Sequence, residues 1–565
     1  MAVFGNVGFV VAHGITPNTN ARLRAEWLQG TCRCNLLPCF AKHLHHKEIV
    51  LTGTILCGIS IGCRPRFRDD RRKQSSLKGL VCCSTATAGE AKRAVDKGFE
   101  QTPPLRKLPK GTKMRPLIVA MGTRGDVEPC LRVASQLRSR GHAPLVFTHK
   151  TFESEVRDVW GLEFKSCGID VVPMSQEYLT GKTRADQVFS DRGWYGDVWV
   201  DVGQRMYTVA LRHRCDVILS TSMGNTHALD VAEKEELICF ALKFCPDIDG
   251  QVPTTAFAPS GYPSGMPGML NYVAHVVENI RTIGAVFAGG FIPHVIEFRS
   301  KLGFPSLKID GQGLLPFRIM DDIEVPTYSP YRTLLQANQP CFYAFSKALV
   351  DRPPEYQPWH FMTGSMGRND ALKHLQLPAF VTEFLDAAET SNGMGPVCVA
   401  FGSMTLARSA AFQSRAIAAA RQLGLYVLVI DPQGTDGVMS DDPKVLCARS
   451  LPYSALFPRC SLVVHHGGAG TLQDSLWAGA PQLIVPVLSW SDQPFWANAL
   501  ENRGLGVSLG SGGVAPGLDA WSQALTNALD NLKSLRARAY AAAVSAEDEQ
   551  GANTVCEILE EVLLL

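Results

Sequence analysis

Nine residues, VVHHGGAGT from Val463 to Thr471, run from a short apolar stretch through two histidines into a glycine-rich turn and a threonine. Small residues let backbone N–H groups approach an anion, and a helix opening at this point adds positive potential. The Thr471 hydroxyl and an N–H of the His466 imidazole can each donate to a phosphate oxygen, so the set suits a diphosphate. The plainer alternative is a glycine-rich turn with no ligand. The paired histidines and the downstream SDQPFWAN weigh against it, because Asp492 and Gln493 offer the carboxylate and amide that grip sugar hydroxyls.

A second turn lies far upstream. LIVAMGTRGDVEP, Leu117 to Pro129, breaks from an apolar run into Gly-Thr-Arg-Gly-Asp without the G-x-G-x-x-G spacing of a dinucleotide cradle. The position of Asp126 fits a helix N-cap. Arg124, with Thr123 beside it, either holds the loop or faces a diphosphate.

Two groups of metal-ligand types draw attention and are set aside. Cys32, Cys34, Cys39, His43, His45 and His46 lie close together, but neither a C-x-x-C pair nor H-x₃-H spacing is present. Asp247 to Asp249 form a D-x-D triplet inside a Pro-rich loop, which reads as chance or a solvated turn.

These residues sit in a regular frame. RPLIVAM, APLVFTH, DVILS and ICFAL alternate with helical stretches, and from Pro396 a second series runs PVCVAFGSM, LYVLVI, SLVVHH, PQLIVPV. Short apolar strands alternating with helices of about ten to fifteen residues mean βαβ units and a parallel sheet. The fold class is therefore α/β, with two Rossmann-like parallel-sheet domains facing an interdomain cleft, where ligands bind in open α/β folds. The expected boundaries are residues 1–112 as a disordered leader and linker, 113–378 as the first domain and 379–565 as the second. The apolar stripe in LNYVAHVVENIRTIGAVFAGGFIPHVIEF reads as core or cleft wall rather than a membrane-surface helix.

Bulk properties narrow the function class. A net charge of +2 over 565 residues gives no basic field for nucleic acid, and no run of eighteen apolar residues suggests a membrane span. Seven of the seventeen cysteines fall before residue 84 and the rest are scattered singly, which argues for a reducing compartment. From Met1 to Ala86 there are twelve Lys/Arg against four Asp/Glu. Such Arg-rich, acid-poor sequence, trailing into VCCSTA, has the character of a plastid transit peptide, so chloroplast localisation is expected. A cytosolic protein with a basic extension, or peripheral attachment to a membrane, is the alternative.

The order HHGGAGT, AGAPQLIVPV, DQPFWAN, RGLGV resembles the UDP-sugar glycosyltransferases of GT-B fold. With GTRGDVEP, VAFGSM and FYAFSKALVDRPPEYQPWHFMTGSM it is similar to the sterol 3-beta-glucosyltransferase branch and its bacterial relatives; the resemblance covers about residues 115 to 510. It implies donor binding by Ser403, His466, Gly468, Gly470, Thr471, Asp492 and Gln493, with Asp126 as general base at the acceptor hydroxyl. It implies inverting transfer of glucose from UDP-glucose to a sterol or similar apolar alcohol, without a metal or other cofactor. The pattern departs where DPQGTDG replaces a Gly-Trp pair, and SLPYSAL offers only Tyr453 where relatives stack a tryptophan on uracil. Asp474 stands where some relatives hold the ribose. Two other readings stay open: the same chemistry on a phenolic, terpenoid or lipid acceptor, and a non-catalytic sugar-nucleotide or lipid-binding relative.

Overall fold

The computed structural model describes residues 107–564 except 171–194, 247–251, 260, 261, 263, 264, 289, 290, 310–322, 367–375, 402–406, 433, 439–441, 489, 490 and 548. The leader with its cysteine–histidine cluster, the D-x-D triplet and Ser403 lie outside the described residues.

The first sheet is built from β1 (Pro116–Ala120), β2 (Leu145–Thr148), β3 (Glu163–Ser166), β4 (Val217–Thr221) and β5 (Ile238–Lys243). A short hairpin, β6 (Ser306–Ile309) with β7 (Ile323–Pro326), precedes its last two strands, β8 (Cys341–Tyr343) and β9 (His360–Met362). The order is β3-β2-β1-β4-β5-β8-β9, parallel throughout. Strands β1, β2 and β4 bury every residue, as continuous Val/Ile/Leu runs require when helices cover both faces.

The second sheet holds β10 (Val397–Ala400), β11 (Val427–Ile430), β12 (Gly437–Val438), β13 (Val445–Ala448), β14 (Leu462–His465), β15 (Gln482–Ile484) and β16 (Gly506–Ser508). Its order is β12-β13-β11-β10-β14-β15-β16, with only β12 antiparallel. Both sheets reverse winding direction beside their first strand, so the turns after β1 and β14 emerge where an open α/β sheet forms its crevice.

The expected boundaries need two corrections. The helix Gly551–Leu563, assigned by position to the second domain, packs on the first: Val555, Cys556, Leu559 and Val562 join the core that contains β1 and β2. Arg140 and His142 reach Glu560 across this contact at 2.6 and 2.9 Å. The end of the expected linker is also tied down, since the Leu108 amide donates to the Leu563 carbonyl at 2.7 Å.

One apolar cluster holds both halves together. Tyr343, Phe345 and Tyr356 from the first half share it with Leu472, Leu476, Trp496 and Leu500 from the second. The apolar stripe forms two helices, Gly268–Ala288 and Phe291–Lys301. The longer one buries Asn271, Ala274 and His275 while Met269, Leu270, Tyr272 and Val273 are exposed. No described helix is long and apolar enough to cross a membrane. None of the ten described cysteines is in a disulfide.

Candidate active site

Strand β14 ends in His465, with His466 next to it, and the two side chains do different work. His465 Nε2 meets Gln482 Oε1 at 2.9 Å, and Nδ1 accepts the Gly467 amide at 3.2 Å. That ring is spent inside the fold. His466 is buried with no partner for Nδ1, and burial pushes its pKa down to about 4, so the ring is neutral. Gly467 takes φ +91°, and a Cβ on it would lie 2.9 Å from Ile484 and 3.1 Å from the Gln493 carbonyl. Gly468 passes directly over the His466 ring, where a Cβ would come 2.5 Å from Nε2.

The helix Ala469–Trp477 starts on this turn, with Gly468 as its N-cap. Its first-turn N–H groups, on Ala469, Gly470 and Thr471, have no intrahelical acceptor. A Cβ on Gly470 would meet nothing within 4 Å, so the turn is open beside this residue. Thr471 is buried beside it. The residues the sequence singles out are thus gathered at one helix N-terminus, a geometry that suits an anion.

Asp492 is the N-cap of the helix Gln493–Asn502, and its Oδ2 accepts the Trp496 indole N–H at 3.0 Å. Burial pushes the Asp492 carboxyl above its ordinary range, against the pull of that bond. Gln493 differs from expectation: its Oε1 accepts the Val487 and Leu488 amides, both at 2.9 Å, so the side-chain carbonyl fastens the preceding loop. Only its amide NH₂ is left to meet a ligand. Gln473, buried with neither amide atom bonded, is a polar group in this helix that the sequence did not flag.

At the other end of the site, the helix Arg124–Ser139 follows β1. The N-cap is Thr123, not Asp126; Asp126 stands at the third helical position and reaches back to it. Asp126 Oδ2 accepts the Thr123 amide at 2.8 Å and its hydroxyl at 3.1 Å. Burial pushes the Asp126 pKa up to about 6; the Thr123 bonds oppose this and the Asp492 charge adds to it. The Asp492 charge thus reaches Asp126 although the two residues lie 366 positions apart in the sequence. Arg124 pairs with Glu155 at 2.8 Å and Glu128 at 3.6 Å, contacts that hold the loop.

Other contacts join the two halves. Arg132 lies 5.5 Å from the Trp477 ring centroid, and Phe257 packs edge-on against Phe495 at 5.0 Å. The Phe257 segment is fastened by Glu355, which accepts the Thr254 hydroxyl and both the amide and the hydroxyl of Thr255 at 2.7 to 2.9 Å. Tyr453 stacks on Phe457 at 4.3 Å, so one face of its ring is already covered. Asp474 sits half-buried on the helix beyond Thr471. Among the described residues no group of three or more His, Cys, Asp or Glu is placed to hold a metal ion.

Two Rossmann-like sheets whose turns after β1 and β14 emerge at the crevice side form the arrangement of the GT-B fold. Residues 117–190 match the glycosyltransferase family 28 N-terminal domain, and residues 417–562 match the erythromycin biosynthesis protein CIII-like C-terminal domain. The sterol 3-beta-glucosyltransferases of Saccharomyces cerevisiae and Arabidopsis thaliana are each 24% identical, over 73% and 70% of this chain and 32% and 58% of theirs. The chain thus spans less than two thirds of the length of these curated relatives. Among solved structures, the glycotransferase of kitacinnamycin and a spinosyn forosaminyltransferase superpose with TM-scores of 0.56 and 0.53 at 16% identity, each covering 80% of this chain and 100% of theirs. The chain has the GT-B fold, and its sequence is similar to glycosyltransferases, the sterol 3-beta-glucosyltransferases among them.

Proposed function

We propose that this protein transfers glucose from UDP-glucose to the hydroxyl of a sterol or similar apolar alcohol, with inversion at the anomeric carbon. The observation that carries the reading is the first turn of the helix Ala469–Trp477, open beside Gly470, together with Asp126 held by Thr123 on the turn after β1. The diphosphate would lie on the N–H groups of Gly470 and Thr471, with His466 and the Thr471 hydroxyl as further donors and Ser403 completing the set. Asp492 and the Gln493 amide would hold the hexose. Asp126 takes the acceptor proton through the oxygen that Thr123 leaves unused. As the acceptor oxygen bonds to the anomeric carbon, the bond to the UDP oxygen breaks, and the helix terminus stabilises the charge that grows there. The counter-charge comes from protein donors, so the scheme calls on no metal.

An apolar acceptor is supported by the aromatic wall around Phe257 and Phe495 and by the sterol glucosyltransferase relatives. Delivery from a membrane surface and import into plastids belong to the same proposal. A fluorescent fusion of residues 1–100 tests the second. The activity is tested by mass spectrometry of products formed from UDP-glucose with a panel of sterols, phenolics and plant lipids. Glucosylated sterol supports the reading; UDP-glucose binding without any product favours a binding protein.

A further inference from the structure

The turn that carries Asp126 is clamped from both neighbours of β1. Thr221, at the end of β4, accepts the Met121 amide at 3.1 Å and donates to the Met121 carbonyl at 2.7 Å. His149, just past β2, accepts the next amide, that of Gly122, on Nε2 at 2.9 Å. Accepting there places the ring proton on Nδ1, which faces the Ile169 carbonyl at 3.0 Å. The ring is fully buried, and burial lowers its pKa, so it stays neutral and keeps Nε2 as an acceptor.

Gly122 is the residue through which this hold reaches the site. It takes φ +140°, and a Cβ there would collide with Asp126 Oδ2. The Asp126 carboxylate therefore lies directly on the Gly122 backbone, and the plane of that peptide sets where the carboxylate can rest. A shift of about 1 Å in a reacting group costs on the order of 100-fold in rate.

We propose that His149 is a positioning residue: its neutral ring fixes the Gly122 peptide and thereby aims Asp126 at the acceptor hydroxyl. The proposal rests on Asp126 as the base. Two variants of similar polarity separate positioning from mere filling of the core. His149→Gln places an amide oxygen where Nε2 stands and keeps the acceptor for Gly122. His149→Asn reaches only the Nδ1 position and leaves the Gly122 amide unpaired.

In the full chain, His149→Asn is expected to lower kcat about 10- to 100-fold with the KM for UDP-glucose within about two-fold, and His149→Gln to recover most of that loss. In an Asp126→Asn background the same substitution should add nothing. Hydrogen–deuterium exchange of the peptide spanning residues 117–126 should rise in His149→Asn and not in His149→Gln. Equal kcat in the two variants, or full additivity with Asp126→Asn, overturns the positioning role. If the unsubstituted chain turns nothing over, the proposed function fails, and the exchange comparison still decides whether His149 holds the turn.

Discussion

The amide and hydroxyl of Thr123 converge on one oxygen of Asp126, at 2.8 and 3.1 Å, and the other oxygen has no donor among the described residues. This arrangement reconciles two roles that compete for one side chain. A carboxylate that reaches back to its N-cap closes a capping motif with one oxygen, and the second oxygen remains for a substrate proton. Asp126→Asn keeps the shape and removes the base. Transfer should fall by about 100-fold or more, in line with the usual contribution of a general base, while UDP affinity measured by calorimetry stays within about two-fold. Normal turnover in Asp126→Asn would remove the base assignment.

The pH profile should carry the mark of the same residue. Burial and the Asp492 charge hold Asp126 at about 6, above the ordinary carboxylate range. The base must be ionised, so kcat/KM for the acceptor should rise with pH through about 6 and level off above it. Acidification through that value removes activity. Substituting Asp492 by Asn takes away the neighbouring charge and should move the acidic limb downward. A limb that stays in place would mean that the two carboxylates do not sense one another.

His465 and His466 are adjacent in sequence and should separate cleanly in experiment. His465→Ala leaves Gln482 and the Gly467 amide without partners, and unpaired buried polar groups cost about 1–3 kcal/mol each. Its thermal midpoint should drop by several degrees. His466→Ala removes a ring whose Nδ1 has no partner in the fold and should weaken UDP binding about ten-fold or more, with a smaller change in thermal midpoint. The reverse outcome would place the phosphate contact on the wrong ring.

Gly470 offers a sharper probe, because a side chain there meets open space while one on Gly468 meets the His466 ring. Gly470→Val should fold normally and bind UDP poorly, since the new methyl groups occupy the space in front of the helix N-terminus. Gly468→Ala should disturb His466 as well as the ligand. If Gly470→Val binds UDP as tightly as the natural chain, the diphosphate does not sit on this turn.

Much of this architecture was legible because local chemistry wrote it down. The strands of both sheets stand out as apolar runs, and the turn at His466–Thr471 announces itself through its small residues. What the sequence hid depends on contacts between distant segments. Nothing near Gly551 signals that its helix returns to the first domain; that follows from the apolar face formed by Val555, Leu559 and Val562 meeting the first core. His149 was visible as a polar residue ending an apolar strand, but its role needs the β1 turn to be placed beside it. The residue type of Gln493 suggests a sugar contact, whereas two amides of its own loop claim the carbonyl.

The largest stability effect outside the site should come from a fully buried charge cluster in the first half. Arg299 Nη1 donates to Asp230 and Glu233, both at 2.6 Å, and Arg332 reaches Asp230 at 3.4 Å. The rings of Tyr328 and Phe304 each lie 4.4 Å from the Arg299 guanidinium. Through these contacts the helices Asn225–Glu235, Phe291–Lys301 and Pro330–Ala337 are joined away from the cleft. Two cations meet two anions, so removing one carboxylate leaves an arginine buried with its charge uncompensated. Breaking such a pair costs about 3–5 kcal/mol. Asp230→Ala should therefore unfold at markedly lower urea concentration, while the fraction that remains folded binds UDP with unchanged affinity. A small shift in the urea midpoint would show that water or a rearranged partner can reach Arg299, contrary to its near-complete burial.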